Sequence, residues 1–140
     1  MKILFPEDRI LLTKTFGFGQ DWEIPIPAFF IAGTIDKTKR SIQDFTNDEL
    51  TELVLNIKKV RIAMTEVLGI KDVYIFQNED TEHGFHIWIF PRYDWMEKFG
   101  KKIESVRPIM NYAKENMSTE SDIKEVKDVA EKIKEYIRLM

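Results

Sequence analysis

The only two histidines of this 140-residue chain, His83 and His86, stand three positions apart at the start of an apolar, aromatic run. Imidazole is the side chain best suited to nucleophilic attack or proton transfer near neutral pH. The chain contains no cysteine, which excludes a thiolate nucleophile, a disulfide and a thiolate zinc site. If the protein forms a covalent intermediate, His86 is therefore the first candidate for its nucleophile.

The run from Gly84 to Phe90, GFHIWIF, alternates as a β-strand does. The alternation predicts two sets of side chains: Phe85, Ile87 and Ile89 on one face, and His86, Trp88 and Phe90 on the other. We expect the first set to pack beneath a helix and the second to place an imidazole beside an indole. A histidine held by a strand has a fixed direction, which suits in-line attack on phosphorus. The same spacing is found when a histidine is an ordinary polar residue on a half-exposed face. The spacing alone therefore does not establish a catalytic role for His86.

A metal site is the other chemistry that these residue types suggest. His83 and His86, together with Asp80 or Glu82, offer suitable ligand atoms. Residues three apart on a strand point to opposite faces, however, so both imidazoles reach one ion only if His83 lies outside the strand. We predict no metal and no cofactor, and we expect any activity to survive chelation by EDTA.

The elements around the histidines predict a single α+β domain over residues 1–140, with a C-terminal helical extension over about 105–140. The sequence TNDE at Thr46–Glu49 is a capping box, and apolar residues recur behind it at helical spacing until Gly69. Strands are predicted over 10–13, 28–35, 72–77 and 84–90, and further helices over 105–117 and from about 122. The segment FGFG at 16–19 is predicted as a loop. We expect an antiparallel sheet with the helices on one face.

Composition limits the classes of partner. The formal net charge is -3, with 44% hydrophobic and 32% charged residues. Proteins that bind DNA or RNA polymers concentrate Lys and Arg, so a polymer partner is not expected. This charge balance does not exclude a small basic pocket for one nucleotide. No apolar run approaches the ~20 residues that cross a bilayer. We therefore predict a cytoplasmic protein without a membrane partner.

Over most of its length the chain resembles the histidine triad family. In that family a strand and turn precede a long helix, and a hairpin follows whose second strand reads H-x-H-x-H-x-x-P-R. Here the strand and turn read AFFIAGTIDKTKRSIQDF, the capped helix follows, and the hairpin strands read DVYIFQN and GFHIWIFPR. The part from RYDWMEKFG onward resembles bacterial members that are related to diadenosine tetraphosphate hydrolases.

The resemblance implies an α+β fold, a homodimer that shares a ten-stranded sheet, and roles for particular residues. His86 falls on the middle histidine, which in the family attacks the α-phosphate of a nucleotide. His83 is a second catalytic candidate near the same strand. The residues expected to contact nucleotide or phosphate are Asn78, Thr81, Gly84, Trp88, Arg92 and Lys37. For Arg92 a structural ion pair remains an equal alternative.

The departures from the family pattern leave two functions open. Gly84 replaces the first histidine, but its carbonyl can still accept from Nδ1 of His86 and leave Nε2 free to attack. Trp88 replaces the third, and an indole cannot protonate a leaving group. The loop before the strand is short and lacks the family's Gly-x-Gln-Ser/Thr segment, while Asp8 and Asp21 are the candidates for the ribose-binding acid. The chain is predicted to be a nucleotide hydrolase or nucleotidyl transferase; alternatively, it is a weak or inactive nucleotide-binding, dimeric interaction module.

Overall fold

A five-stranded antiparallel sheet organises the computed structural model, which describes residues 9–140. The strands lie in the order β1-β2-β3-β5-β4. Their bounds are β1 Arg9–Leu12, β2 Phe16–Gln20, β3 Phe30–Thr34, β4 Val73–Phe76 and β5 His86–Pro91. The helices are α1 Asn47–Leu68, α2 Val106–Asn116 and α3 Glu120–Arg138, with short 3-10 turns at Ile42–Asp44, Asp94–Phe99 and Ile103–Ser105. The predicted α+β fold with an antiparallel sheet is confirmed.

Helix α1 begins and ends where its sequence signals predicted. The Thr46 hydroxyl accepts from the Glu49 amide at 3.1 Å, and the Glu49 carboxylate accepts from the Thr46 amide at 2.8 Å. Both amides would otherwise lack partners at the helix start. Gly69 ends the helix at a φ of 67°, in the left-handed region that favours glycine. The apolar stripe, including Leu53 and Met64, is buried against the sheet.

Strand β2 corrects the prediction of a loop at 16–19. Its five residues pair with β1 on one side and with β3 on the other. Phe16 and Phe18 enter the core beneath α1, and Gly17 and Gly19 therefore face the opposite side. Glycine is unfavourable in strands because it has no side chain to pack. Pairing on both edges and burial of the two phenylalanines outweigh that local preference here.

The helices cover both faces of the sheet, so the prediction that they lie on one face is wrong for α2. Helices α1 and α3 pack with Ile87 and Ile89 of β5. On the other face, buried residues of α2, including Ile109, pack with Phe29 and Phe90. The periodicity of α2 shows which of its own residues are buried, but it contains no information on the face of the sheet that they meet.

A carboxylate on α1 fixes the β1–β2 hairpin above the core. Glu52 accepts hydrogen bonds from the Thr13 hydroxyl, from the Thr15 amide at 2.8 Å and from the Thr15 hydroxyl at 3.0 Å. Burial raises the pKa of Glu52, but these bonds together lower it below its usual 4.5. The hairpin is therefore held to α1 by a carboxylate that favours its charged form.

Candidate functional site

His86 is the first residue of β5, on the face of the sheet opposite α1, as the alternation predicted. Its side chain is 1% exposed. Nδ1 lies 2.8 Å from the carbonyl oxygen of Gly84. Because a carbonyl oxygen can only accept, Nδ1 carries the proton and Nε2 carries the lone pair. The expectation that the Gly84 backbone orients this imidazole is confirmed by that contact.

The surroundings of His86 favour its neutral form. Burial lowers its pKa below the usual 6.5, the hydrogen bond to Gly84 raises it in part, and the nearby charges of His83 and Lys37 lower it again. The net direction is downward. An unprotonated Nε2 is therefore the predominant form at neutral pH, as a nucleophile requires.

Gly84 fits where a side chain would not. A Cβ added there would lie 3.0 Å from the Lys37 Cα, 3.0 Å from Cγ2 of Thr34 and 3.2 Å from the Lys37 carbonyl oxygen. The turn after β3 is fixed against this point, because the Phe85 amide donates to the Lys39 carbonyl at 2.8 Å and the Thr34 amide donates to the Phe85 carbonyl at 2.9 Å. A histidine at position 84 would need this turn to move. The close packing gives a physical reason for the missing first histidine.

Trp88 lies next to His86 on the same face. The two rings are 4.4 Å apart at their centroids and nearly perpendicular, at 82°. Phe76, the β4 partner of Trp88, stacks on the indole at 5.4 Å. The indole N–H donates to Oδ2 of Asp21 at 3.3 Å. Its single donor is thus engaged by a carboxylate, and its ring holds the imidazole from one side.

Asp21 lies in the segment between β2 and β3 and is 5% exposed. Burial raises its pKa above the usual 3.8, although hydrogen bonds from the Glu23 amide and from Trp88 oppose the shift. Of the two candidates for a ribose-binding acid, Asp21 is therefore at the site beside Trp88. Asp8 lies outside the described residues.

The β4–β5 loop brings its polar residues to the same end of β5. His83 is exposed, and its ring centroid lies 6.1 Å from that of His86. The Thr81 hydroxyl accepts from the His83 amide at 3.3 Å. Asn78 is exposed at the start of the loop. Arg40, which the sequence did not single out, donates from Nη2 to the carbonyl oxygens of Glu79 and Thr81, at 2.5 and 2.8 Å respectively, and so ties the loop to the turn after β3.

Lys37 and Arg92, which were both predicted to contact phosphate, lie in different parts of the structure. Lys37 lies in the turn packed on Gly84, near enough for its charge to affect His86. Arg92 follows the far end of β5, six residues from His86 and thus ~20 Å along the strand. Its guanidinium donates to the Gly100 carbonyl at 2.8 Å and to the Ser105 hydroxyl at 3.2 Å. The structure does not bring Arg92 to His86, and within residues 9–140 its guanidinium makes these hydrogen bonds and no ion pair.

Within residues 9–140, no group of three or more histidine, cysteine or acidic side chains is arranged to hold a metal ion. In the same range, no helix has the length and apolar character needed to cross a bilayer.

Comparison with known proteins gives matches in structure alone. No family model matches the chain, and no curated protein sequence matches it. A HIT-like protein involved in cell-cycle regulation from Bartonella henselae matches with a TM-score of 0.62 at 15% identity, over 94% of this chain and 88% of that chain. A zinc-bound histidine triad family protein from Mycobacterium smegmatis matches with a TM-score of 0.63 at 12% identity, over 94% and 84%.

A further match is the diadenosine triphosphate hydrolase of Plasmodium falciparum, with a TM-score of 0.52 at 18% identity, over 81% of this chain and 78% of that chain. A hypothetical histidine triad nucleotide-binding protein from Sulfolobus tokodaii matches with a TM-score of 0.55 at 13% identity, over 91% and 85%. At such identities the similarity shows the fold alone, which is that of the histidine triad proteins.

Proposed function

We propose that this chain, which has the histidine triad fold, is a nucleotide hydrolase or nucleotidyl transferase that uses His86 as its nucleophile. The substrate class is a nucleotide anhydride or related ester, with dinucleoside polyphosphates such as diadenosine tetraphosphate as first candidates. Two fold neighbours are named as a nucleotide-binding protein and a diadenosine triphosphate hydrolase, which supports this class. The observation that carries the proposal is the contact between His86 Nδ1 and the Gly84 carbonyl.

The contact between His86 Nδ1 and the Gly84 carbonyl favours two features of an attack on phosphorus: the free lone pair on Nε2 and the positive charge that develops on the imidazole. The lone pair of Nε2 forms a bond to the α-phosphorus, and the bridging P–O bond breaks with its electron pair going to the leaving oxygen. The imidazole then carries a positive charge as a phosphoramidate. The Gly84 carbonyl already accepts from Nδ1–H, so it stabilises this charge as it develops without reorganising. Water or another acceptor next attacks phosphorus, releases the nucleotidyl group and returns the electron pair to Nε2.

Proton supply to the leaving group is assigned to His83. The indole of Trp88 cannot titrate, and its N–H is engaged by Asp21. The His83 ring is exposed, and its centroid lies 6.1 Å from that of His86. Imidazole is the side chain that most often serves as a general acid or base. Asn78, Thr81, Gly84, Trp88 and Lys37 complete the proposed nucleotide and phosphate contacts.

A second candidate function is a nucleotide-binding module without turnover. One observation favours it: the position of the family's third histidine holds an indole whose donor is directed to Asp21. If no other group replaces a lost general acid, the rate falls by typically ~10²–10⁴-fold. In that case the protein binds a nucleotide, or assembles with a partner, without transforming its ligand at a useful rate.

Two substrates that differ in their leaving group separate these functions. The enzyme interpretation predicts slow turnover of diadenosine tetraphosphate and faster turnover of a nitrophenyl ester of AMP, whose leaving group needs no proton. His86→Ala should abolish both reactions and leave AMP binding nearly unchanged, because the nucleophile contributes mainly to the chemical step. His83→Ala should slow the first reaction far more than the second. Acid-labile AMP bound to His86, trapped by rapid quench, identifies the phosphoramidate.

Trp88→His provides a gain-of-function control, with Trp88→Phe as its matched variant that lacks a donor. A titrating group at position 88 should raise the rate on diadenosine tetraphosphate and leave the nitrophenyl ester unaffected. Equal rates for His86→Ala and the wild type on both substrates would reject the enzyme interpretation. Retained AMP binding would then leave the binding module as the function.

A further inference from the structure

Arg9 extends across the face of the sheet that carries His86. In register, Arg9 pairs with Gly19, and Gly17 pairs with Gly33, which pairs in turn with His86. Paired residues of an antiparallel sheet project from the same face. The row from Gly17 to His86 crosses two strand spacings, or ~10 Å. Gly17 and Gly33 have no side chains, so this row contributes no side chain between Arg9 and the imidazole.

The Arg9 guanidinium lies over this glycine row. A Cβ built on Gly17 would be 3.3 Å from Nε of Arg9 and 3.6 Å from its Cζ. Nε is buried and has no hydrogen-bond partner among the residues that the structure describes. A buried donor, above all a charged one, is costly to leave without an acceptor. The Nε–H is therefore a donor for which the described residues supply no acceptor.

Lys37 approaches the same place from the turn after β3. Burial lowers the pKa of its ammonium, and the positive charge of Arg9 lowers it further. The carboxylate nearest to it in sequence, Asp36, accepts instead from the Thr38 amide at 3.0 Å and the Thr38 hydroxyl at 2.7 Å. In residues 9–140 the observed ion pairs are on α3 and involve neither Arg9 nor Lys37. Two cations thus lie on the His86 face of the sheet, and neither has an ion-pair partner among the residues that the structure describes.

We infer that Arg9 and Lys37 form an anion subsite beside His86, which holds the phosphate groups that follow the attacked one in a nucleoside polyphosphate. A guanidinium offers paired donors that match phosphate oxygens, and an ammonium adds a point charge. The subsite also compensates for the short β4–β5 loop. The assignment of the anion as part of the substrate rests on the proposed function, whereas the presence of an anion site does not.

The test is calorimetric titration of the full chain with inorganic pyrophosphate and, separately, with AMP. Arg9→Gln should weaken pyrophosphate binding by about tenfold or more, since a charge-assisted hydrogen bond is lost. AMP, which has no second phosphate, should be affected far less. Arg9→Lys, which keeps the charge, should recover part of the affinity. Lys37→Gln gives a second measurement if Arg9→Gln folds poorly, and Lys58→Gln on the exposed side of α1 is the charge-matched control.

Wild-type pyrophosphate affinity in both Arg9→Gln and Lys37→Gln would overturn the inference, as would equal weakening in Lys58→Gln. Failure of the subsite is distinguishable from failure of the proposed function. If His86→Ala turns over substrate like the wild type while Arg9→Gln still loses pyrophosphate, the anion site stands and the catalytic proposal falls. If turnover depends on His86 while both cation variants bind pyrophosphate normally, the subsite falls alone.

Discussion

The indole of Trp88 and the carboxylate of Asp21 are hydrogen-bonded at 3.3 Å, so that β5 is joined to the segment between β2 and β3. The bond occupies the only polar atom of Trp88. It also leaves a carboxylate nearly buried beside the nucleophile. The Asp21–Trp88 hydrogen bond therefore fixes the orientation of the indole, whose ring packs against the imidazole of His86.

The raised pKa of Asp21 predicts a pH-dependent contribution to stability. The folded state binds this proton more tightly than the unfolded state, whose pKa is near 3.8. The contribution is therefore fully present below 3.8 and is lost as pH rises through the higher folded pKa. The free energy of unfolding of the wild type, minus that of Asp21→Asn, should fall with pH in this window by at most about 1.4 kcal/mol per pH unit. Urea titrations from pH 3.5 to 7 measure it, and a rising difference would contradict the prediction.

Gly84→Ala should destabilise the fold and slow the reaction together. The new Cβ would be 3.0 Å from both Thr34 Cγ2 and the Lys37 Cα, and such overpacking costs about 1–3 kcal/mol. Relief by moving the strand start displaces the carbonyl that orients His86. Chemical denaturation and kcat report the two effects. Thr34→Ser in the same background removes Cγ2 but keeps the hydroxyl, and it should restore part of the stability. No recovery in this double variant would place the strain elsewhere.

Glu52→Gln should loosen the β1–β2 hairpin. Because burial is outweighed by the hydrogen bonds from Thr13 and Thr15, the folded pKa of Glu52 lies below 4.5. Its contribution is therefore present above pH 4.5 and is lost as pH falls through the folded value. We expect a loss of about 1–2 kcal/mol at pH 7 that shrinks as pH falls below 4.5, as measured by urea denaturation. Glu66→Gln, at an exposed position of the same helix, is the matched control and should change little at either pH.

Edge strand β4 supports the prediction of a symmetric dimer. Ile75 is 52% exposed and is paired with Ile89, so it projects on the α1 side of the sheet. An exposed apolar edge is a site for pairing with another chain. Light scattering at micromolar concentration should give twice the 16.6 kDa of one chain. Ile75→Asp should give the monomer, whereas Leu12→Asp, a change at the equally exposed β1 edge, should not. A 16.6 kDa wild-type species would reject the dimer.

Local patterns predicted those parts of the fold whose causes are local. The Thr46 cap, the Gly69 stop and the alternation from Phe85 to Phe90 each depend on neighbouring residues, and all three are observed. The orientation of His86 by the Gly84 carbonyl was also predictable, because the two residues belong to one short segment.

The missed features depend on residues that are distant in sequence. FGFG became a strand through pairing with two other strands, and α2 took a face of the sheet that its own periodicity does not specify. The Trp88 donor and Asp21 belong to different parts of the chain. The position of Arg9 matters because its side chain lies over Gly17, which is across the β1–β2 hairpin, and because the row from Gly17 leads to His86, two strands further along the sheet. The spacing of residues along the sequence does not predict any of these contacts, because each one joins residues that are far apart in the chain.

The two backbone hydrogen bonds made by Phe85 have a consequence for the order of folding. They join β5 to the turn after β3, and all of α1 and β4 lie between these segments in the chain. The Gly84 carbonyl cannot take its place until that long loop has closed, a step whose entropic cost slows non-local pairing. An incompletely folded chain thus has no oriented nucleophile, and the amide protons of Thr34 and Phe85 will exchange with solvent only when the sheet opens as a whole.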